Sequence, residues 1–330
     1  MAKKKIVYLF GAGATHAEII NIVDDPNASY RDKKGLLISN VSKRVMQAAR
    51  RTSWFKQKEE IFTSSKGSLN IELLISLFEN NQIQEKYVRK LKELVEIDIK
   101  KILTDELKNK FYLHKGLFEL HRMIEDQEEL LGLISLNYDD VLDVAYKEIL
   151  GVEPNYCLTT QTNANLPLLK LHGSFTWENI EVYEKRKNIS IIPIGINKNY
   201  LFPPYNFIWG KAFEILIKCD ILRIIGCSLN QSDLGLIDLL FKAHVERDKQ
   251  ILLEIIDFQP ENFQHNIKTS YGFFPGIIEP KDIEGTLIAD ESISNYQVGN
   301  PFKIWLQAKG RKMLDGKMDG SKYLKECLSS

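Results

Sequence analysis

The chain is poor in cysteine. Four stand in 330 residues, Cys157, Cys219, Cys227 and Cys327, widely spaced and with no C-x-x-C pair. That pattern indicates neither a zinc ribbon nor a disulfide framework. Net charge is lacking too: Lys plus Arg and Asp plus Glu are 44 each. No bulk charge argues for binding nucleic acid or an anionic membrane. Long apolar runs are missing, because the hydrophobic stretches are short and broken by charge, so no membrane span is expected. Met1 to Lys5 is basic, but Ile6 to Phe10 is too short for a signal-peptide core. A soluble cytoplasmic protein is the expectation. No internal repeat or low-complexity tract occurs. What remains is ordinary globular composition, 44% hydrophobic, long enough for one large domain or two modest ones.

The stretch that organises the chain is Lys5 to Thr15, KIVYLFGAGAT. Ile6, Val7, Leu9 and Phe10 are β-formers in a near-continuous apolar run, which suits a strand covered on both faces. Gly11 and Gly13 let the backbone turn sharply and approach a ligand with no Cβ in the way. A helix opening near Thr15 would turn its free N–H groups toward that turn, a place for phosphate. The full G-x-G-x-x-G fingerprint is absent, since Ala14, Thr15 and His16 follow Gly13.

Beyond it, His16 to Val23 reads as helix and Asn27 to Gly35 as loop. Leu36 to Met123 carries helical spacing, as in Ile71, Leu74, Ile75 and Phe78, and in Leu91, Leu94, Val95 and Ile102. His114 and His121 lie seven apart on one face with no carboxylate or cysteine partner in that register, a poor metal site. Strand signals return at Leu130 to Leu136, Leu166 to Leu171, Ile221 to Ile225 and Ile251 to Ile256. Helices are expected between them at Val141 to Ile149 and Asp233 to Val245. Alternation of this kind predicts parallel order with right-handed crossovers. Each strand ends in a polar or glycine-containing cluster. Ligands bind at the carboxyl ends of such strands, so Gly11, Asn137, His172, Gly226 and Asp257 are expected to converge on one crevice. Asn300-Pro301 is a helix start, Asn as N-cap and Pro in the first turn.

Four motifs stand in order at four strand ends: GAGAT at Gly11 to Thr15, NYDD at Asn137 to Asp140, KLHGS at Lys170 to Ser174, and GCSL from Gly226 with Asp233 following. Together they resemble the sirtuin-like family over roughly Lys5 to Asp257. The resemblance implies a Rossmann-like α/β fold with a parallel sheet, and cleavage of the bond between nicotinamide and ribose in NAD. The expectation from the residues is a single domain over 1–330: a core of 1–35 and 124–300, a helical insertion or small subdomain at 36–123 and C-terminal helices at 301–330. Gly11, Ala12, Gly13, Ala14 and Thr15 would line the pyrophosphate and ribose, with Tyr138 in the same cofactor-binding set. Asn137 would sit beside the nicotinamide ribose, Asp139 would help hold the nicotinamide end, and His172 would be the catalytic histidine. Gly226, Ser228 and Leu229 would contact the adenosine side, with Asp257 at its ribose.

The residue types suit that chemistry. Breaking an N-glycosidic bond builds oxocarbenium-like charge on the sugar. A neutral amide such as Asn137 can place a water, and a histidine can take its proton near neutral pH. Departures from the protein-deacylating members are marked. There is no four-cysteine module, so no zinc is expected. The glutamine before the catalytic-loop asparagine is Leu136. HAEIINIVDDP, His16 to Pro26, replaces the Gly-Ile-Pro-x-Phe-Arg segment. Zinc-free chains of this sort look more like bacterial NAD hydrolases of anti-phage defence, which deplete NAD when triggered. Deacylation or ADP-ribosyl transfer, and a non-catalytic dinucleotide-binding subunit, are the alternatives. A homo-oligomer is expected, and the resemblance points to a HerA-type ATPase or an Argonaute-like protein as partner.

Overall fold

The structure is a computed structural model of the 330-residue chain. It describes residues 2–22, 35–56, 70–80, 85–160, 164–179, 201, 203–231, 233–247, 249–257, 270, 272 and 300–314. The expected loop before Gly35 and the helix expected beyond Leu314 lie outside these residues.

Five strands form one sheet: β1 (Lys4–Phe10), β2 (Glu128–Ser135), β3 (Leu168–Lys170), β4 (Ile221–Ile225) and β5 (Leu252–Ile256). Every pairing is parallel and the order is β3-β2-β1-β4-β5. The chain therefore winds outward from β1 in both directions. All five carboxyl ends lie on one edge, and the order reverses between β1 and β4, the switch point of a Rossmann-like fold. The pairing continues past the strands into the turns. Gly11 N–H donates to Ile225 O at 3.0 Å, Leu136 N–H to Phe10 O at 2.9 Å, Leu171 N–H to Ser135 O at 3.0 Å and Gly226 N–H to Ile256 O at 2.8 Å. The edge that carries the motifs is thus part of the hydrogen-bonded ladder.

Alternation along β1 divides the core. Val7 and Leu9 face a layer made by α9 (Tyr205–Lys218) and α10 (Leu234–Val245), with Ile208, Leu216, Leu236 and Leu240 packed on them. Ile6, Tyr8 and Phe10 face the opposite layer. It comprises α1 (Ala12–Ile22), α7 (Leu113–Met123), α8 (Val141–Leu150) and α11 (Pro301–Leu314). Asn300 Oδ1 accepts Lys303 N–H at 3.2 Å, so the Asn-Pro pair does start α11.

A third cluster belongs to the span between α1 and α7. There the helices are α2 (Ile38–Ala49), α3 (Ser53–Lys56), α4 (Ile71–Asn80), α5 (Glu85–Ile102) and α6 (Asp105–Lys108). Val45, Leu74, Phe78, Leu91 and Val95 close on one another and reach Tyr138, Val141 and Phe175 at the sheet edge. These five helices have their own core, seated on the NYDD turn, whereas α7, within the span expected to be an insertion, packs on the sheet.

Three details differ from expectation. Helix α1 opens at Ala12, directly after Gly11, instead of near Thr15. Strand β3 is only three residues long; Pro167, without an N–H, cannot serve a longer ladder there. Helix α9 was not foreseen: YNFIWGKAFEILIK is apolar on several sides, so its period is blurred.

The layer of α1, α7, α8 and α11 also buries a charged stripe. Tyr8, Arg223 and Glu254 are register neighbours on β1, β4 and β5. Arg223, fully buried, donates to Glu128 Oε1 at 2.7 Å, to Tyr8 Oη at 3.0 Å, and to Glu254. Trp305 Nε1–H donates to Glu254 at 2.8 Å and Lys309 Nζ lies 3.1 Å from Glu128, so α11 caps the stripe. Two carboxylates and two cations balance, which makes this burial tolerable. Arg223 holds Glu128 down to about 2 against the opposing pull of burial. The two histidines noted above are engaged here. His121 meets Tyr8 Oη at 2.7 Å, and His114 Nδ1 lies 2.7 Å from Glu18, a carboxylate partner brought in from α1.

Burial pushes His121 down to about 3, with Arg223 adding to the effect. The folded protein keeps this ring neutral while the unfolded chain protonates it near pH 6.5. Between about pH 6.5 and 3 the unfolded state holds the extra proton, so stability rises with pH, and is lost on acidification, by up to about 1.4 kcal/mol per unit. Urea unfolding across this range checks the point: His121→Gln is expected to flatten the slope by up to that amount, and an unchanged slope contradicts it.

Candidate functional site

The site begins at the switch point. Gly226 follows β4 in the left-handed region, φ +58°, and its carbonyl accepts Gly13 N–H at 2.8 Å. A Cβ on Gly226 would stand 2.1 Å from Ala14 N, and one on Gly11 would stand 2.6 Å from Gly226 O. The bare glycines are therefore used by the chain itself, to bring the β1 and β4 turns into backbone contact. Close approach to a ligand is not needed to explain them. Ala14 and Thr15 are buried against this contact and Ala12 is half-buried.

Asn137 follows β2. Its amide N–H donates to Ser135 Oγ at 3.1 Å, and its side-chain amide donates to Gly11 O at 3.0 Å and Thr15 Oγ1 at 3.1 Å. Thr15 in turn donates to Asp139 Oδ2 at 3.0 Å. One hydrogen-bonded line thus runs from the glycine turn through Asn137 and Thr15 to Asp139. The other oxygen of Asp139 accepts Val141 N–H at 3.1 Å, at the first residue of α8. Burial pushes the Asp139 carboxyl up, with Lys170 pulling partly against it.

His172 follows β3, and Gly173 after it takes φ +83°, a conformation glycine adopts without strain. The β2 and β3 turns are stapled together. Tyr138 O accepts Phe175 N–H at 3.1 Å and the Ser174 hydroxyl at 3.3 Å, while Lys170 Nζ donates to Asp139 O. Lys170 also bonds Asp143 on α8 at 2.8 Å, with both side chains buried. The Tyr138 ring lies 6.3 Å from the His172 ring. Asn137 and His172 are consequently carried by adjacent strand ends that are bonded to each other. His172 Nε2 stands 3.1 Å from Asp233 Oδ2, and His172 is 1% exposed.

The insertion roofs this region. Tyr138 Oη donates to Glu72 of α4 at 3.0 Å, and Lys108 of α6 bonds Asp140 at 2.7 Å. Between roof and edge lies a cavity of about 440 Å³, lined by Leu103, Thr104, Lys108, Asp139, Phe175 and others. Asp139 is the one predicted site residue on its wall; Asn137 and His172 do not line it.

The remaining predicted residues sit along the β4–β5 part of the edge. Ser228 is exposed. Leu229 takes φ +48° and buries its side chain in the core shared with α9 and α10, so any contact it makes with a ligand comes from its backbone. Asp257 follows β5 and is half-buried; burial pushes the Cys227 thiol up to about 12, with Asp257 adding to the effect. Among the described residues no group of three or more His, Cys, Asp or Glu side chains is placed to hold a metal ion. No described helix is long and apolar enough to cross a membrane. Sequence reasoning passed over Glu72 and Lys108, and gave no role to Lys170, Ser174 or Asp233. The last three did stand inside or just after quoted motifs, which was the available signal.

An open parallel sheet of order β3-β2-β1-β4-β5, with glycine turns in contact at its switch point, defines a Rossmann-like α/β protein. No protein-family model matches the chain, and no curated protein matches it. Solved structures do. One presented as the structural basis for the mechanism and regulation of Sir2 enzymes is 14% identical, with a TM-score of 0.39, over 94% of this chain and 93% of that one. A mutant Sir2 homologue in complex with ADP-ribose is 15% identical, with a TM-score of 0.37, over 96% and 95%. A Sir2 protein bound to an acetylated peptide is 12% identical, with a TM-score of 0.32, over 80% and 92%. At such scores nothing about chemistry or residue roles transfers to this chain.

Removing the Lys170 charge would leave Asp143 buried without its cation. Lys170→Met is expected to cost about 3–5 kcal/mol in urea unfolding, and Lys170→Met with Asp143→Asn to recover much of that loss. A cost below about 1 kcal/mol, or no recovery in the double variant, contradicts the stapling role.

Proposed function

We propose that the protein is an NAD hydrolase that cleaves the bond between nicotinamide and ribose. The observation that carries this reading is the joint placement of Asn137 and His172. They stand on adjacent, mutually bonded strand ends of one sheet edge, beside the glycine contact at the switch point.

NAD enters as substrate. Its adenosine side lies along Gly226, Ser228, Leu229 and Asp257, its pyrophosphate at Gly11 to Thr15, with Tyr138 beside it, and its nicotinamide ribose at Asn137. The start of helix α1 favours the negative pyrophosphate; Gly13 N–H is already given to Gly226 O and Ala14 N–H to Gly11 O, so Ala12 N–H is the amide assigned to it. Asp257 favours a free ribose hydroxyl over a phosphate by repulsion. Asn137, locked between Gly11 O and Thr15, holds a water against the anomeric carbon. The C1′–N bond breaks, and nicotinamide leaves with the bonding pair. The water oxygen bonds C1′, and its proton passes to His172 and then to solvent. The products are nicotinamide, ADP-ribose and a proton. Asp139, its carboxyl pushed up by burial, is suited to bond the nicotinamide amide.

Such an activity would poison its own cell, so we read the chain as a triggered NAD-depleting effector of anti-phage defence, acting in the cytoplasm as a homo-oligomer. A HerA-type ATPase or an Argonaute-like protein is the kind of partner that would gate it. The insertion supports gating, because Tyr138 and Asp140 of the catalytic turn are held by Glu72 and Lys108. A partner that moves these helices acts on the turn directly.

Purified protein incubated with NAD, alone and with candidate partners, is expected to release nicotinamide and ADP-ribose by chromatography. Asn137→Ala and His172→Ala are each expected to lower turnover at least about 10²-fold without loss of cooperative unfolding. Rates near wild type in both variants reject the site assignment.

A further inference from the structure

Asp233 has no part in the NAD contacts proposed above, yet its carboxylate is built into the same edge. Its Oδ2 lies 3.1 Å from His172 Nε2, and the two side chains are 2% and 0% exposed. They arrive from different strands, His172 after β3 and Asp233 from the β4–α10 connection. The carboxylate is not free to wander. Its Oδ1 accepts Leu236 N–H at 3.1 Å as the N-cap of α10, while its own N–H donates to Asn230 O at 3.0 Å. A carboxylate at a helix N-terminus is favoured in its charged form. Capping alone would be served by Ser or Asn and does not require a second oxygen against a buried imidazole.

We propose that Asp233 is the positioning residue for His172: its carboxylate, at ion-pair distance from Nε2, draws the ring's proton to that nitrogen, holds the ring's orientation by charge, and leaves Nδ1 as the basic nitrogen. This rests on the NAD-cleaving role given to His172. When Nδ1 takes the proton of the attacking water, Asp233 stabilises the imidazolium and stays ionised throughout. The proton returns to solvent when products leave.

The other titratable groups gathered here leave that role to Asp233. The Tyr138 ring packs near His172, and its phenol is pushed well above its usual range by burial, with Glu72, Asp233 and Tyr205 adding to the effect. Cys227 is likewise kept protonated by burial. Glu72 is bonded to Tyr138 Oη instead.

Asp233→Asn tests the proposal, because an asparagine keeps an oxygen for the Leu236 cap while losing the charge. Two readouts are compared with wild type: the pH profile of nicotinamide release, and the ¹⁵N spectrum of labelled histidine with His172 assigned by His172→Gln. The expected result is a kcat loss of roughly 10²-fold or more and an acid limb displaced to lower pH, since the imidazolium loses its partner. The His172 titration midpoint is expected to fall in parallel. Unchanged kcat, or a kcat loss with both the acid limb and the His172 midpoint unmoved, overturns it. Should the variant not fold, the wild-type spectrum still decides: an Nε2–H tautomer of His172 supports the proposal and an Nδ1–H tautomer overturns it. Absence of NAD cleavage by wild type would sink the hydrolase reading, while the spectrum would still judge the pair.

Discussion

The candidate site depends on the stapling of two turns. Tyr138 and Asp139, after β2, offer their carbonyls to Ser174, Phe175 and Lys170 of the β3 turn. Each neutral bond of this kind is worth about 0.5–1.5 kcal/mol net, and one to a charged group about 1.5–3. Together they cross-link the two turns, so Asn137 and His172 are presented side by side. The parallel sheet places those turns side by side, and the staple keeps them there.

The same economy appears at the switch point. Gly11, Gly13 and Gly226 look in sequence like a surface for a ligand, but their missing Cβ atoms are needed for backbone contact between β1 and β4 turns. Any dinucleotide would then lie on a platform the chain has already closed. The insertion adds a roof through Glu72 and Lys108. That roof is what separates this architecture from an open Rossmann crevice.

The strands were legible because each is a short apolar run ended by a polar or glycine cluster, and the Asn300-Pro301 start of α11 because capping is local chemistry. Convergence of Gly11, Asn137, His172, Gly226 and Asp257 on one edge followed from parallel order alone. Less could be read where tertiary contacts decide. Helix α9 has aromatic and apolar residues on several sides, and the Pro203-Pro204 pair before it was the only local hint. The Asp233–His172 pair joins residues 61 apart, 233 minus 172, and no spacing rule reaches across a crossover. Lys170 in a strand reads as a surface charge until Asp143 on α8 is placed beneath it.

The most direct measurement is a crystal structure of the His172→Ala protein grown with NAD. The nicotinamide ribose should lie between Asn137 and position 172, the pyrophosphate at the start of α1 and the adenosine toward Gly226 and Asp257. NAD bound away from this edge, or no binding at millimolar NAD, would contradict the account.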